Sequence, residues 1–107
     1  MQINLTTKHI DPTPTIEEFV NAKAGKLTRY FDRIEQIDVL IEKTTRGFSI
    51  EIISDVEHHD PIVGNAEDGD MYVAIDACVD KSVRQLTDLK SRLRDNKHHR
   101  STGGKER

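Results

Sequence analysis

The spacing of apolar residues along the 107-residue chain predicts four strands. Apolar and polar positions alternate with a period of two in three segments, which is typical of a strand with one buried face. The alternating apolar residues are Ile3 and Leu5, then Ile37, Val39 and Ile41, then Phe48, Ile50 and Ile52. Residues 62–67 predict a short fourth strand, in which Gly64 marks a bulge or a close approach of another segment.

Two longer segments have apolar residues at helical spacing. The first helix is expected to start at Pro14 with Thr13 as its N-cap and to end near Asp32. Its stripe is Ile16, Val20, Leu27, Phe31 and Ile34. The second helix is expected from the N-cap Asp70 to about Asn96. Its stripe is Met71, Ile75, Cys78, Val79, Leu86, Leu89 and Leu93.

The order β-α-β-β-β-α predicts an α+β fold, with two helices packed on one face of a mostly antiparallel four-stranded sheet. The length fits one domain, and we assign it to residues 1–95. Residues 96–107 are polar and contain two glycines, so they are expected to form a disordered tail.

The composition excludes several classes of protein. Charged residues make up 33% of the chain and the mean hydropathy is −0.64, and no stretch approaches the roughly 18 apolar residues of a membrane span. The N-terminus lacks the layout of a signal peptide, and the single cysteine, Cys78, cannot form an internal disulfide. We therefore expect a cytoplasmic protein with no membrane partner.

The charge is unevenly distributed, although its sum is only −3. Residues 1–70 hold 7 basic and 14 acidic residues, a balance of −7. Residues 71–107 hold 9 basic and 5 acidic residues, a balance of +4. The overall acidity therefore does not exclude a nucleic-acid partner, which a locally basic surface can bind.

Basic residues recur beside the apolar stripes of both predicted helices. On a continuous first helix, Lys26, Arg29 and Arg33 would project within an arc of about 60°, with Lys23 at the edge of the stripe. On the second helix, Lys81, Arg84 and Arg92 share one flank, and Lys90, Arg94 and Lys97 share the other. An ordinary solvated surface with ion pairs is the alternative, and Asp88, four residues from both Arg84 and Arg92, favours it.

No residues form a recognisable catalytic or metal site. The pairs His58–His59 and His98–His99 lack other ligands at metal-binding spacing, and GNAEDGD lacks the residues of a phosphate-binding loop. Cys78 falls in an apolar stripe, which favours a buried thiol over a nucleophile. We therefore expect no enzyme, no cofactor and no metal.

Two segments resemble the ribosome hibernation promoting factors, also called ribosome-associated inhibitors. They are EFVNAKAGKLTRYFDRI at 18–34 and DMYVAIDACVDKSVRQLTDLKSRL at 70–93, and MQINLT at the start also fits. The resemblance covers roughly residues 1–95 and implies a fold similar to double-stranded RNA-binding domains. Members act in stationary phase or stress by occupying the tRNA and mRNA channel of the small ribosomal subunit, without catalysis or a small-molecule substrate.

The resemblance also implies which residues contact rRNA. The family's basic positions correspond to Lys23, Lys26, Arg33, Lys81, Arg84, Lys90 and Arg92. The helical spacing adds Arg29 to this set of rRNA-binding residues. The free protein is expected to be a monomer, with the small ribosomal subunit and its rRNA as partners.

Three acidic residues depart from the family pattern, since Asp38, Glu42 and Asp88 stand where many relatives carry neutral or basic residues. The chain resembles the short form of the family, and its short basic tail favours the members that promote ribosome pairing over those that oppose it. Two alternatives remain. One is a protein-interaction module that uses an acidic sheet surface with Asp38, Glu42 and Glu51, and the other is a small enzyme.

Overall fold

The computed structural model describes the backbone of residues 1–101 and the side chains of residues 1–94. It contains four strands and three helices. They are β1 Gln2–Lys8, α1 Pro14–Ala24, α2 Leu27–Tyr30, β2 Ile34–Thr44, β3 Gly47–Val56, β4 Ile62–Asp68 and α3 Met71–Ser101.

The four strands form one sheet in the order β1-β2-β3-β4. β1 pairs with β2 in parallel, and the other two pairs are antiparallel. The β2–β3 ladder is regular except for a register shift between Ile34 and Gln36. The predicted α+β class and the mostly antiparallel sheet are therefore confirmed.

The core lies between the helices and one face of the sheet. The alternating residues predicted to be buried line that face, and Ile37, Ile41 and Ile52 are fully buried there. The helices contribute residues such as Val20, Leu27, Ile75, Leu86 and Leu89 to the same cluster. Because side chains alternate along a strand, the remaining strand residues point to the opposite side, which we call the open face.

The first helix starts as predicted but does not continue to Asp32. The Thr13 hydroxyl caps it by accepting a hydrogen bond from the Ile16 amide (3.2 Å), and α1 ends at Ala24 with Gly25 as its C-cap. A tight turn then leads into the single turn of α2, where the Thr28 hydroxyl donates to the Gly25 carbonyl (2.8 Å). Ile34, predicted to lie on the helical stripe, is instead the first residue of β2.

The second predicted helix, α3, begins as expected and runs further. The Asp70 carboxylate accepts hydrogen bonds from the backbone amides of Tyr72 (2.9 Å) and Val73 (3.2 Å). The helix runs to Ser101 rather than to about Asn96, so the first part of the predicted tail is helical. Residues 102–107 lie outside the described residues, and their disorder stays a prediction.

Gly64 is the site of a close approach between β4 and α3, one of the two roles that the sequence indicated. A Cβ atom at this position would lie 2.8 Å from the Ser82 Oγ atom. The β3–β4 register is continuous through Gly64, so there is no bulge. The missing side chain therefore lets α3 settle closely on the sheet.

Candidate nucleic-acid interface

One flank of α3 carries the predicted residues Lys81, Arg84 and Arg92, and all three are exposed. At about 100° per residue they span an arc of about 80°. The Lys81 ammonium donates to the backbone carbonyl of Asn65 on β4 (2.9 Å), which places this flank over the β4 edge of the sheet. The acceptor is a neutral carbonyl, so this contact does not pair Lys81 with a carboxylate.

The other flank of α3 faces the segment between α2 and β2. A cleft of about 230 Å³ is lined there by Phe31, Asp32, Arg33, Lys90, Leu93 and Arg94. Three cations therefore surround an apolar floor, with one carboxylate, Asp32, among them. Leu93, predicted to be buried in the stripe, is 36% exposed and forms part of this floor.

Arg33 and Lys90 are brought together in this cleft, although they are 57 positions apart in the chain. Arg94, which we left out of the rRNA-binding set, lines the cleft beside them. Its position four residues after Lys90, on the same helical flank, was the sequence signal for it. The side chain of Lys97, assigned to the same flank, lies outside the described residues.

Among the predicted rRNA-binding residues, Lys23 forms an ion pair with a carboxylate of the protein itself. Its ammonium lies 3.3 Å from the Asp76 carboxylate of α3 and 5.4 Å from the centre of the Phe19 ring. Phe19 makes an edge-to-face contact with Tyr72, with ring centroids 4.8 Å apart. We did not predict this junction of α1 and α3, because spacing within one helix cannot show a contact between two.

The arc predicted for Lys26, Arg29 and Arg33 is wrong, because it required one continuous helix. Lys26 is the N-cap of α2, Arg29 lies within α2, and Arg33 lies in the turn that precedes β2. All three side chains are nevertheless exposed. The basic residues therefore form three groups: Lys26 and Arg29, the cleft, and the α3 flank over β4.

Asp88 does not pair with either of its arginine neighbours. Within residues 1–94, the ion pairs with atoms no more than 4.0 Å apart are Lys23–Asp76 and the weak contact of His58 with Glu57. Arg84 and Arg92 thus remain available to an external anion, with Asp88 weakening their field but not binding them. We call the eight predicted residues and Arg94 together the basic helix side.

The remaining candidate residues show no arrangement for catalysis. His58 and His59 lie in the β3–β4 turn, and the side chains of His98 and His99 are outside the described residues. The part of the chain that is described has no group of three or more potential metal ligands, and none of its helices is long and apolar enough to span a membrane. Burial raises the pKa of the Cys78 thiol to about 12, so the nucleophilic thiolate is disfavoured.

Comparisons with known proteins agree with this architecture. The family described as Sigma 54 modulation protein / S30EA ribosomal protein matches residues 3–94. The ribosome hibernation promoting factor of Escherichia coli (strain K12) is 42% identical over 99 residues, which cover 88% of this chain and 98% of that protein.

Two solved structures share the fold. The N-terminal domain of Protein Y from Thermus thermophilus superposes with a TM-score of 0.75 at 27% identity, covering 83% of this chain and 99% of that one. A ribosomal subunit interface protein from Coxiella burnetii gives a TM-score of 0.79 at 23% identity, covering 85% and 99%. The chain therefore belongs to the Sigma 54 modulation protein / S30EA ribosomal protein family, and its resemblance to the ribosome hibernation promoting factors is confirmed.

Proposed function

We propose that this protein is a ribosome hibernation factor that binds the small ribosomal subunit through its basic helix side. It occupies the channel for tRNA and mRNA, blocks translation in stationary phase or stress, and favours inactive ribosome dimers. The protein is cytoplasmic and monomeric until it binds the ribosome. It inhibits translation by filling the channel and catalyses no reaction. The observation that carries the proposal is the collection of exposed, mostly unpaired cations on one side of a domain that belongs to this family.

The proposed contacts are electrostatic. Each lysine or arginine that neutralises an rRNA phosphate releases a condensed counterion, so binding weakens as salt rises. The cleft with Arg33, Lys90 and Arg94 suits a phosphate, because three cations outweigh Asp32 there. Structured RNA is recognised mainly by shape and backbone, so no base-reading site is required.

Lys23 contributes less than the other cations under this proposal. An ammonium that already lies 3.3 Å from the Asp76 carboxylate must give up that contact before it neutralises a phosphate. Lys26 and Arg84 have no such partner among residues 1–94 and belong to two different groups of the basic helix side. They are therefore the better pair for a test.

The test combines Lys26→Ala with Arg84→Ala and measures co-sedimentation with ribosomes over a range of salt concentrations. The plot of log K against log salt should lose about two units of slope, since each phosphate contact contributes about 0.9. Far-ultraviolet circular dichroism checks that the variant is folded. Lys43→Ala with Arg46→Ala is the matched control, since it removes two exposed cations at the β2–β3 turn.

An unchanged slope in the folded Lys26→Ala/Arg84→Ala variant would refute RNA binding through the basic helix side. The alternative function, an interaction module without rRNA contact, predicts this unchanged slope. An acidic sheet surface would still bind a cationic partner in a salt-dependent way, but that dependence does not involve Lys26 or Arg84. The effect of Lys26→Ala/Arg84→Ala on the salt slope therefore separates the two functions.

A further inference from the structure

The open face of the sheet is acidic and has an ordered arrangement. Every second residue of each strand points to this face, and the strand registers show which of these residues are neighbours. Its carboxylates are Asp38, Glu42, Glu51, Asp55 and Glu67, and its cation is Lys8 at the end of β1. Residues 1–94 provide no cation within 4.0 Å of any of these carboxylates.

Glu51 occupies the centre of this arrangement. It lies opposite Leu40 in the β2–β3 ladder, so Asp38 and Glu42 are its diagonal neighbours on β2. Glu67 is its diagonal neighbour on β4, because Ser49 pairs with Glu67. Diagonal neighbours in a sheet lie about 7–8 Å apart, so these like charges repel one another. Lys8, which lies opposite Glu42, offsets one of these charges, and cations from outside would relieve the remaining repulsion.

An apolar strip crosses the same face. Ile53 on β3 lies opposite Val63 on β4 and diagonally next to Leu40 on β2. The strip therefore extends across the strands β2, β3 and β4. Val63 is 40% exposed, and Leu40 and Ile53 are half-buried without an element packed above them in the described chain. An apolar centre with a charged rim is the arrangement of many protein interfaces.

One carboxylate of the face is held in a fixed orientation. Asp38 accepts hydrogen bonds from the Asn4 side-chain amide (2.9 Å) and from the Gln36 side-chain amide (3.1 Å). Both donors are neutral side-chain amides, so they orient the carboxylate without pairing it with a cation. A carboxylate that is oriented in advance loses less conformational freedom when it binds a cation.

The open face and the basic helix side lie on opposite sides of the molecule. If the helices contact rRNA, the acidic face cannot also lie against phosphates without strong repulsion. We propose that the open face docks a lysine- and arginine-rich segment of a ribosomal protein. Its cations pair with the carboxylates around Glu51, and the aliphatic parts of its side chains cover Leu40, Ile53 and Val63. This inference rests on the proposed function, because the bound ribosome supplies the segment.

The test replaces two central carboxylates by their neutral isosteres, Glu42→Gln and Glu51→Gln. Binding is measured to intact ribosomes and to rRNA freed of protein, at several salt concentrations. The matched control, Asp11→Asn with Glu57→Gln, removes two exposed carboxylates that lie outside the open face. Thermal melting checks the fold of both variants.

We expect Glu42→Gln/Glu51→Gln to bind intact ribosomes about tenfold more weakly, because two cations of the partner lose their counter-charges. Binding to protein-free rRNA should be unchanged or tighter. The sign is diagnostic, since loss of negative charge strengthens binding to a polyanion unless the lost charges contact cations. The control should bind ribosomes at least as tightly as the wild type.

Each contrary result overturns the inference in a recognisable way. Equal or tighter binding of Glu42→Gln/Glu51→Gln to intact ribosomes shows that the face has no cationic partner there. An equal loss on protein-free rRNA shows that bound metal ions or polyamines, not a polypeptide, link the face to RNA. Failure of the wild type to bind ribosomes at all refutes the proposed function itself.

Cross-linking gives an independent measurement. Val63→Cys introduces an exposed thiol in the apolar strip, and Cys78 is buried and remains unreactive. A short thiol-directed cross-linker on the ribosome-bound variant should join it to a ribosomal protein. Products that contain only rRNA would overturn the inference.

Discussion

The contact between Gly64 and Ser82 shows how a single missing side chain sets the distance between a strand and a helix. A Cβ atom at position 64 would lie 2.8 Å from the Ser82 Oγ atom, and Ser82 is fully buried. The Ser82 hydroxyl has no hydrogen-bond partner within the described residues. The hydroxyl therefore occupies space at the contact without contributing a hydrogen bond.

Gly64→Ala should lower the free energy of unfolding by about 1–3 kcal/mol, the usual cost of overpacking. Ser82→Ala alone should be nearly neutral, because it removes an unsatisfied hydroxyl. In the Ser82→Ala background, Gly64→Ala should cost clearly less than in the wild type. Urea denaturation of the four proteins measures this cycle, and equal costs in both backgrounds would contradict the proposed clash.

Cys78 makes stability depend on pH at high pH. Burial raises the pKa of its thiol from 9.0 to about 12 in the folded protein. Below about pH 9 the thiol is protonated in both states, so it adds no pH dependence. Between about pH 9 and pH 12 the unfolded chain releases this proton and the folded chain keeps it. The free energy of unfolding therefore falls, by at most about 1.4 kcal/mol per pH unit.

Denaturation of the wild type and Cys78→Ala at about pH 8 and about pH 10 isolates this contribution from other titrating groups. The wild type should lose more stability over this range than Cys78→Ala. The cost of the cavity left by Cys78→Ala does not depend on pH, so it cancels in the comparison. Equal losses in the two proteins would show that the thiol ionises freely in the folded state.

At the scale of the elements, the strands follow directly from the sequence and the helices do so only in part. The alternation of Ile37, Val39 and Ile41 reflects burial on one face, which is a property of the strand itself. α1 ends at Ala24 because the amides of Lys26, Thr28 and Arg29 donate to carbonyls three residues back rather than four, although Gly25 and Lys26 keep helical dihedral angles. Apolar spacing continues through Leu27 and Phe31, so periodicity alone could not reveal this change of hydrogen bonding.

The sequence predicted which basic residues belong to the candidate site, but it did not predict which of them lie next to one another. The spacing along α3 identified Lys81, Arg84 and Arg92 as one exposed flank. The cleft that joins Arg33 to Lys90 and Arg94 results from packing between segments far apart in the chain. The contact of Lys23 with Asp76 also results from packing between two helices. A sequence pattern within one helix therefore cannot predict it.

Asp88 provides a prediction for α3, because it lies one helical turn from both Arg84 and Arg92 without pairing with either. Asp88→Lys should tighten ribosome binding and steepen its salt dependence. The thermal melt should change little, since an exposed pair at this spacing contributes about 0.3–0.5 kcal/mol. Asp11→Lys is the control with the same change of charge, in the exposed segment between β1 and α1.

Weaker ribosome binding by Asp88→Lys, with an unchanged melt, would contradict a purely electrostatic role. In that case Asp88 makes a specific contact with the ribosome or holds the two arginines in their binding rotamers. Co-sedimentation at several salt concentrations distinguishes these results from the expected one.

The whole molecule is electrically bipolar, with cations on the helix side and carboxylates on the open face. A phosphate-lined site orients such a molecule before contact, because the two sides experience opposite forces. The proposed binding mode therefore fixes which side of the domain enters the RNA. The proposed binding mode also requires that tRNA and mRNA be absent from the channel that the protein occupies.

Inhibition of cell-free translation should accordingly depend on the order of addition. Ribosomes loaded with initiator tRNA and mRNA before the protein is added should be inhibited less than empty ribosomes. Salt and protein concentration are held constant between the two orders. Inhibition that does not depend on the order would place the protein away from the channel.

The parallel pairing of β1 with β2 has a consequence for how the chain reaches its native state. The meander β2-β3-β4 closes through short turns, whereas pairing of β1 with β2 closes the longer segment that contains α1 and α2. Since non-local contacts form late, we expect the amides of Gln2–Lys8 to become protected last in pulsed hydrogen exchange during refolding. Protection of β1 together with the meander would contradict this order. During synthesis, the first strand to leave the ribosome is then the last to find its place in the sheet.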